Sequence, residues 1–189
     1  LEGDVFCSRP VLIWITGALG LGSWCGGCIS CLLLVTNRIF ELLNWNSHRT
    51  ARPWIFQLII LVYFLFFALF TPPFLASSTY KAMYFDPFID QHWDNFYVNW
   101  LHTANNVLIV LLSALLYIFF CAALRFRQSA MSSDVSSAVM AANRSIFMQA
   151  SIICGLDVFA SLVYVYMNFF ESPPELRQIG QITWQLSHG

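Results

Sequence analysis

The sequence predicts an all-α fold: a polytopic membrane helix bundle of four complete transmembrane helices plus the start of a fifth. Four apolar runs, residues 11–35, 54–75, 101–124 and 146–170, each exceed the roughly 20 residues that cross a ~30 Å hydrocarbon core as an α-helix. The composition agrees, because 58% hydrophobic and 10% charged residues with a mean hydropathy of +0.65 would leave a domain in water with large exposed apolar patches. The loop charges alternate as well. Arg38, Arg49 and Arg52 follow the first run and Arg125, Arg127 and Arg144 the third, whereas Asp86, Asp90 and Asp94 follow the second. Arginine-bearing loops are cytoplasmic by the positive-inside rule. The N-terminal stretch, the loop 77–100 and the segment after Phe170, with Glu171 and Glu175 against Arg177, are therefore external.

These signals define one membrane domain over 1–189, with helices at about 11–36, 54–75, 101–125, 144–170 and 176–189. The chain starts at Leu1 and stops about a dozen residues into the fifth periodic segment. A helix of that length reaches only ~20 Å, too short to cross, so the chain reads as a piece of a longer polytopic protein, with no signal peptide in view.

Net charge of -1 and the absence of a basic stripe exclude a nucleic-acid partner; the cytoplasmic arginines are explained by topology. Of the cysteines at 7, 25, 28, 31, 121 and 154, all but Cys7 fall inside spans. There a thiol is a small packing residue, and Cys25-Gly26-Gly27-Cys28 has no second ligand pair to make a metal site. Cys7 lies outside in oxidising surroundings, and the loop 77–100 holds no cysteine to pair with it.

The first helix carries a seam of small and polar residues, Thr16, Gly20, Ser23, Gly27, Ser30 and Asn37, interrupted by Leu34. Such a seam lets neighbouring backbones approach closely. Gly22 and Gly26 add a GxxxG pair on an adjoining face, which places this helix centrally. The second helix opens at Arg52-Pro53-Trp54, with proline in the first turn where a missing N–H costs nothing, and closes at Thr71-Pro72-Pro73. Between Leu58 and Phe70 its one polar atom is the Tyr63 hydroxyl, so it is expected to be the most lipid-exposed span.

The third helix aligns His102, Asn106, Ser113 and Tyr117 within about 60° of one another on a wheel of 100° per residue. The fourth carries a polar stripe of Asp157, Ser161, Tyr164 and Asn168, and the fifth one of Gln181, Trp184, Gln185 and His188. Three converging polar stripes predict a wet interior cavity. The Ser- and Ala-rich stretch 126–143 reads as a flexible cytoplasmic connector, where the sequon Asn143-Arg144-Ser145 is chemically idle. The aromatic loop residues Tyr84, Phe85, Phe88, Trp93, Phe96, Tyr97 and Trp100 suit either the membrane interface or the cap of the cavity.

Asp157 lies about 11 residues below Asn168 and His188 about 11 below Arg177, so both sit roughly 17 Å from the outer face. The turn at Ser172-Pro173-Pro174 makes their helices antiparallel neighbours. A carboxylate at that depth either protonates or finds a partner; an Asp157–His188 pair is one expectation, with Gln185 the alternative partner.

At Phe85-Asp86-Pro87, Tyr97-Val98-Asn99, His102-Thr103 and Asn105-Asn106, then Gln149, Tyr164-Val165-Tyr166-Met167 and the closing stretch from Gly180 through Trp184 to Gly189, the chain resembles the nematode serpentine receptor class T (Srt) chemoreceptors, a heptahelical family. Trp24 and Asn37-Arg38 resemble its third helix. The resemblance keeps order and orientation along nearly the whole chain. It implies that the chain runs from just before helix three into helix seven of a G-protein-coupled receptor in the plasma membrane of sensory cells. It also implies a small-molecule ligand entering from outside and a heterotrimeric G protein as partner, with no cofactor and no catalytic activity.

Arg38 then takes the place of the arginine at the cytoplasmic end of helix three, preceded by Thr36-Asn37 instead of an acid-bearing triplet. It also suits a cation at a helix C-terminus, snorkelling to the interface. The ligand-pocket candidates are His102, Asn106, Asp157, Tyr164, Gln181, Trp184, Gln185 and His188, and the coupling candidates Arg38 and Asn37. The alternative is a transporter or channel subunit, since polar stripes also line pathways; related halves with interrupted helices, which transporter folds tend to show, are not evident. A membrane enzyme has least support, with no metal cluster, nucleophile–base spacing or phosphate loop.

Overall fold

The computed structural model describes residues 9–42, 53–77, 82–85, 98–130, 137–170 and 172–187. The described residues form five helices: α1 (Pro10–Leu42), α2 (Pro53–Phe70), α3 (Trp100–Ala130), α4 (Ser137–Phe169) and α5 (Pro174–Ser187). One short antiparallel hairpin, β1 (Leu75–Ser77) with β2 (Ala82–Tyr84), follows α2 in the register Leu75↔Tyr84, Ala76↔Met83 and Ser77↔Ala82. The fold is an all-α membrane bundle. Leu115, Ile118, Phe70 and many other large apolar side chains lie exposed on its outside, an arrangement that lipid accepts and water does not.

Helices α1, α2 and α3 each carry a stretch long and apolar enough to cross a membrane. Helix α4 is 33 residues long, and Cys154–Met167 is an apolar stretch among its described residues. Helix α1 is the hub, in contact with α2, α3, α4 and β1. Just over half of its apolar stretch is buried, 56%, against 28% for α3 and 11% for α2. Helix α2 buries only Phe67 and Ala68, as a span facing lipid should.

The core has two layers along α1. Near the hairpin, Leu21, Trp24, Cys25, Cys28 and Leu32 pack with Phe67, Phe74, Ile109 and Ala160. Toward the other end, Cys31, Val35 and Ile39 meet Phe120, Ala123 and Cys154. Cys25 and Cys28 are buried free thiols, in keeping with a packing role. Cys31 and Cys154 differ from that expectation: they are joined as a disulfide between α1 and α4, with Cα atoms 6.1 Å apart. The two come from runs 123 positions apart, a proximity that spacing along one helix does not reveal.

The packing of α1 on α2 corrects the expected seam. Gly22 and Gly26 do the close work: a Cβ on Gly22 would lie 2.9 Å from the Phe64 carbonyl oxygen and 3.0 Å from Ala68 Cβ, and one on Gly26 would lie 3.6 Å from Phe64 Cβ. The GxxxG pair thus faces α2. Gly20, by contrast, has no described atom within 4 Å of where a Cβ would stand, and Thr16 and Ser23 are exposed. Small residues in a row permit close approach but do not require it. The hydroxyls of that face are satisfied within the helix, Thr16 donating to the carbonyls of Leu12 and Ile13 and Ser30 to that of Gly26.

Several boundaries move. Helix α1 runs past Arg38 to Leu42 instead of ending at 36. Helix α2 stops at Phe70 instead of 75, because Pro72 cannot donate a helical bond and disfavours helix in the residue before it. Residues 126–130 and 137–143, expected as connector, extend α3 and α4; Ala, Arg, Gln and Met sustain a helix without an apolar period.

Candidate ligand-binding site

The polar residues of α3 are set in place by its first turn. Asn99 precedes the helix and its Oδ1 accepts the His102 N–H at 2.9 Å, an N-cap bond to the third helical residue. The same side chain donates through Nδ2 to the Pro72 carbonyl at 3.0 Å, which ties the start of α3 to the chain leaving α2. That chain passes tightly over α1. A Cβ on Gly17 would collide with the Phe74 carbonyl oxygen, so only glycine admits the backbone here.

His102, Asn105 and Asn106 are buried on α3, with Asn106 fully enclosed. Their hydrogen bonds join three helices. Trp24 of α1 donates Nε1–H to Asn106 Oδ1 at 2.9 Å, and Asn105 Nδ2 donates to the same oxygen at 3.2 Å. Tyr63 of α2 donates its hydroxyl to Asn105 Oδ1 at 2.8 Å. Asn106 Nδ2 lies 3.2 Å from His102 Nε2. Indole nitrogen is a donor only, which fixes the Asn106 oxygen toward Trp24 and its NH2 toward His102. His102 Nε2 must therefore accept, and the neutral ring carries its proton on Nδ1. A bond between membrane-buried side chains contributes about 0.6 kcal/mol on average, so this network positions groups more than it stabilises the bundle.

Aromatic rings complete the site. Phe74 packs edge-on to the His102 ring at 5.1 Å and Phe85 tilts against it, also at 5.1 Å. Phe74 and Phe85 are 4.8 Å apart, and Tyr164 of α4 lies 6.3 Å from Phe74. Tyr164 donates to Gln181 Oε1 of α5 at 2.8 Å, so Phe74 connects the α1–α3 network to the α4–α5 pair. Gly180 makes that pair close: a Cβ there would stand 2.9 Å from Val163 Cγ1.

Of the sequence-derived candidates, His102 and Asn106 share the network, Tyr164 and Gln181 share a bond, and Trp184 packs half-buried on the hairpin-end core. Asp157 is buried on the inward face of α4. Gln185 stands apart, exposed on α5. His188 lies outside the described residues, and with it the Asp157–His188 pairing. Asn37 and Arg38 are half-buried on α1 at the far end from the hairpin. Because α1 continues to Leu42 with no basic residue in its last turn, Arg38 is set back from the helix terminus, and its helix-end role weakens, since the dipole effect fades within one turn. Trp24, Tyr63, Asn105 and Phe74 were not among the candidates. Tyr63 was visible as the lone polar atom of its run, and Asn105 sits one residue off the polar stripe because it faces α2.

Among the described residues no group of His, Cys, Asp and Glu is placed to hold a metal ion. A family model described as "Serpentine type 7TM GPCR chemoreceptor Srt" matches residues 1–189, and the chain belongs to that family. It is similar to Serpentine receptor class T-55 of Caenorhabditis elegans, 24% identical over 190 residues that cover 99% of this chain and 51% of the relative. The chain thus spans about half the length of the curated relative it matches. No solved structure matches it.

Proposed function

We propose that the full-length protein is a chemosensory G-protein-coupled receptor of the sensory-cell plasma membrane. It binds a small-molecule ligand from outside, at the hairpin end, and signals to a heterotrimeric G protein at the opposite end. The observation that carries this reading is the buried network of Trp24, Tyr63, His102, Asn105 and Asn106 beneath the hairpin, in a chain of a chemoreceptor family. His102, Asn106, Tyr164, Gln181 and Trp184 line or support the ligand site. Asp157 lies deeper, and Arg38 with Asn37 forms part of the surface offered to the G protein. Ligand binding biases the bundle between two helix arrangements that differ at that surface.

A transporter or channel is less well supported. Helices α1, α3 and α4 run unbroken for 33, 31 and 33 residues, whereas transporter sites tend to form where helices are interrupted. The test is to express the full-length protein with a G-protein reporter and apply a panel of volatile and water-soluble odorants. A response that Arg38→Ala removes while surface expression persists supports the receptor. Ligand-dependent solute flux without any G-protein response would overturn it.

A further inference from the structure

Among the described residues, the hydrogen bonds around His102 leave its Nδ1 unspent. Asn106 Oδ1 is committed to Trp24 and Asn105, the Asn106 NH2 to His102 Nε2, and the Tyr164 hydroxyl to Gln181. His102 Nδ1, by contrast, has no hydrogen-bond partner among the described residues, although the residue is only 1% exposed. With Nε2 forced to accept, Nδ1 bears the proton, so the unspent group is a donor. Among the described residues the rings of Phe74 and Phe85 pack against it, and they offer π faces in place of a strong acceptor. A buried polar donor without a partner is costly and uncommon in a native interior. The network also prevents His102 from relieving the cost by switching tautomer.

Resting on the receptor reading above, we propose that the ligand is a small neutral molecule bearing a hydrogen-bond acceptor, such as a ketone, aldehyde or ester, held by the His102 Nδ1–H among Phe74, Phe85 and Tyr164. Neutrality follows from the walls: Phe74, Phe85, Tyr164, Asn106 and neutral His102 carry no formal charge to compensate an ion removed from water. Small size follows from the tight ring spacing. Phe85, the half-buried member of the set, is the side chain whose displacement makes room. Selectivity then has a definite sign. A site with a buried donor rejects the analogue lacking the acceptor far more strongly than it rejects one longer or shorter by a methylene.

Two substitutions at one position separate this role from a structural one. His102→Gln places an amide where Nε2 stands, so the bond to Asn106 survives and the Nδ1 donor is lost. His102→Asn places an amide NH2 where Nδ1 stands and keeps the donor. The full-length protein in nanodiscs is titrated with straight-chain C5–C9 2-ketones, aldehydes and methyl esters and with hydrocarbons of matched shape, following tryptophan fluorescence and thermal shift. The acceptor compounds are expected to bind at least about tenfold more tightly than their hydrocarbon partners, a preference that His102→Gln abolishes and His102→Asn retains. Equal affinity within pairs, a preference that survives His102→Gln, or no binding by any of these compounds overturns the proposed ligand class. The receptor reading is judged separately, by whether any other ligand drives a G-protein response in the same preparation.

Discussion

Asn106 is the residue on which most of the network depends. Its oxygen takes two donors and its NH2 meets His102, so Asn106→Leu strands three polar groups in the interior, whereas Tyr63→Phe removes a single hydroxyl at a half-buried edge. An average buried bond in a membrane protein is worth about 0.6 kcal/mol, but a donor left unpaired costs about 1–3 kcal/mol. Asn106→Leu is therefore expected to lower the thermal midpoint by several degrees more than Tyr63→Phe, measured on the full-length protein in detergent. Equal losses would show that the network is not cooperative. The stripe of His102 and Asn106 was legible because residues four apart share a helix face. Trp24 was not, since its bond to Asn106 spans 82 positions and depends on how two helices are rotated against each other. Gln185 shows the converse: a stripe identifies a polar face, and α5 turns part of that face outward.

At the scale of elements, glycines decide which helices touch. Gly17 admits the Phe74 backbone and Gly22 admits α2, while Gly155 of α4 is exposed with no described atom near a prospective Cβ. Gly17→Ala should depress folded yield strongly. Gly155→Ala should be neutral or stabilising by up to about 1 kcal/mol, because it removes a poor helix former without a clash. Comparable yields of the two variants, measured as monodisperse protein, would contradict the close passage over α1. The pairing of α1 with α4 has its own check. After proteolysis between the helices, fragments bearing Cys31 and Cys154 should migrate together without reductant and separate in Cys31→Ser; separation in both would place the helices apart. Helix existence and order were readable from hydropathy, whereas ends were not: apolarity reports where a helix leaves lipid, and α3 and α4 continue beyond that point. The hairpin gave no sequence signal, its strands being three residues each and held by the packing of Leu75, Met83 and Phe85 on the bundle.

For the whole molecule, the elements form an up-and-down bundle in which the arginine bias assigns the hairpin end to the outside. In intact cells, Asp90→Cys should react with an impermeant maleimide and Ser133→Cys only after permeabilisation; the reverse pattern would invert the site relative to the cell. In the proposed orientation His102 and Phe85 lie toward the exterior and Arg38 toward the cytoplasm, the separation that the proposed receptor needs between ligand and G protein. The most direct test is nucleotide exchange. The full-length protein in nanodiscs, mixed with a purified heterotrimeric G protein, should accelerate exchange when an odorant that binds it is added. Arg38→Ala should cut that acceleration at least about tenfold while leaving odorant affinity unchanged. Odorant binding that never alters exchange, in wild type as in variant, would contradict the receptor account.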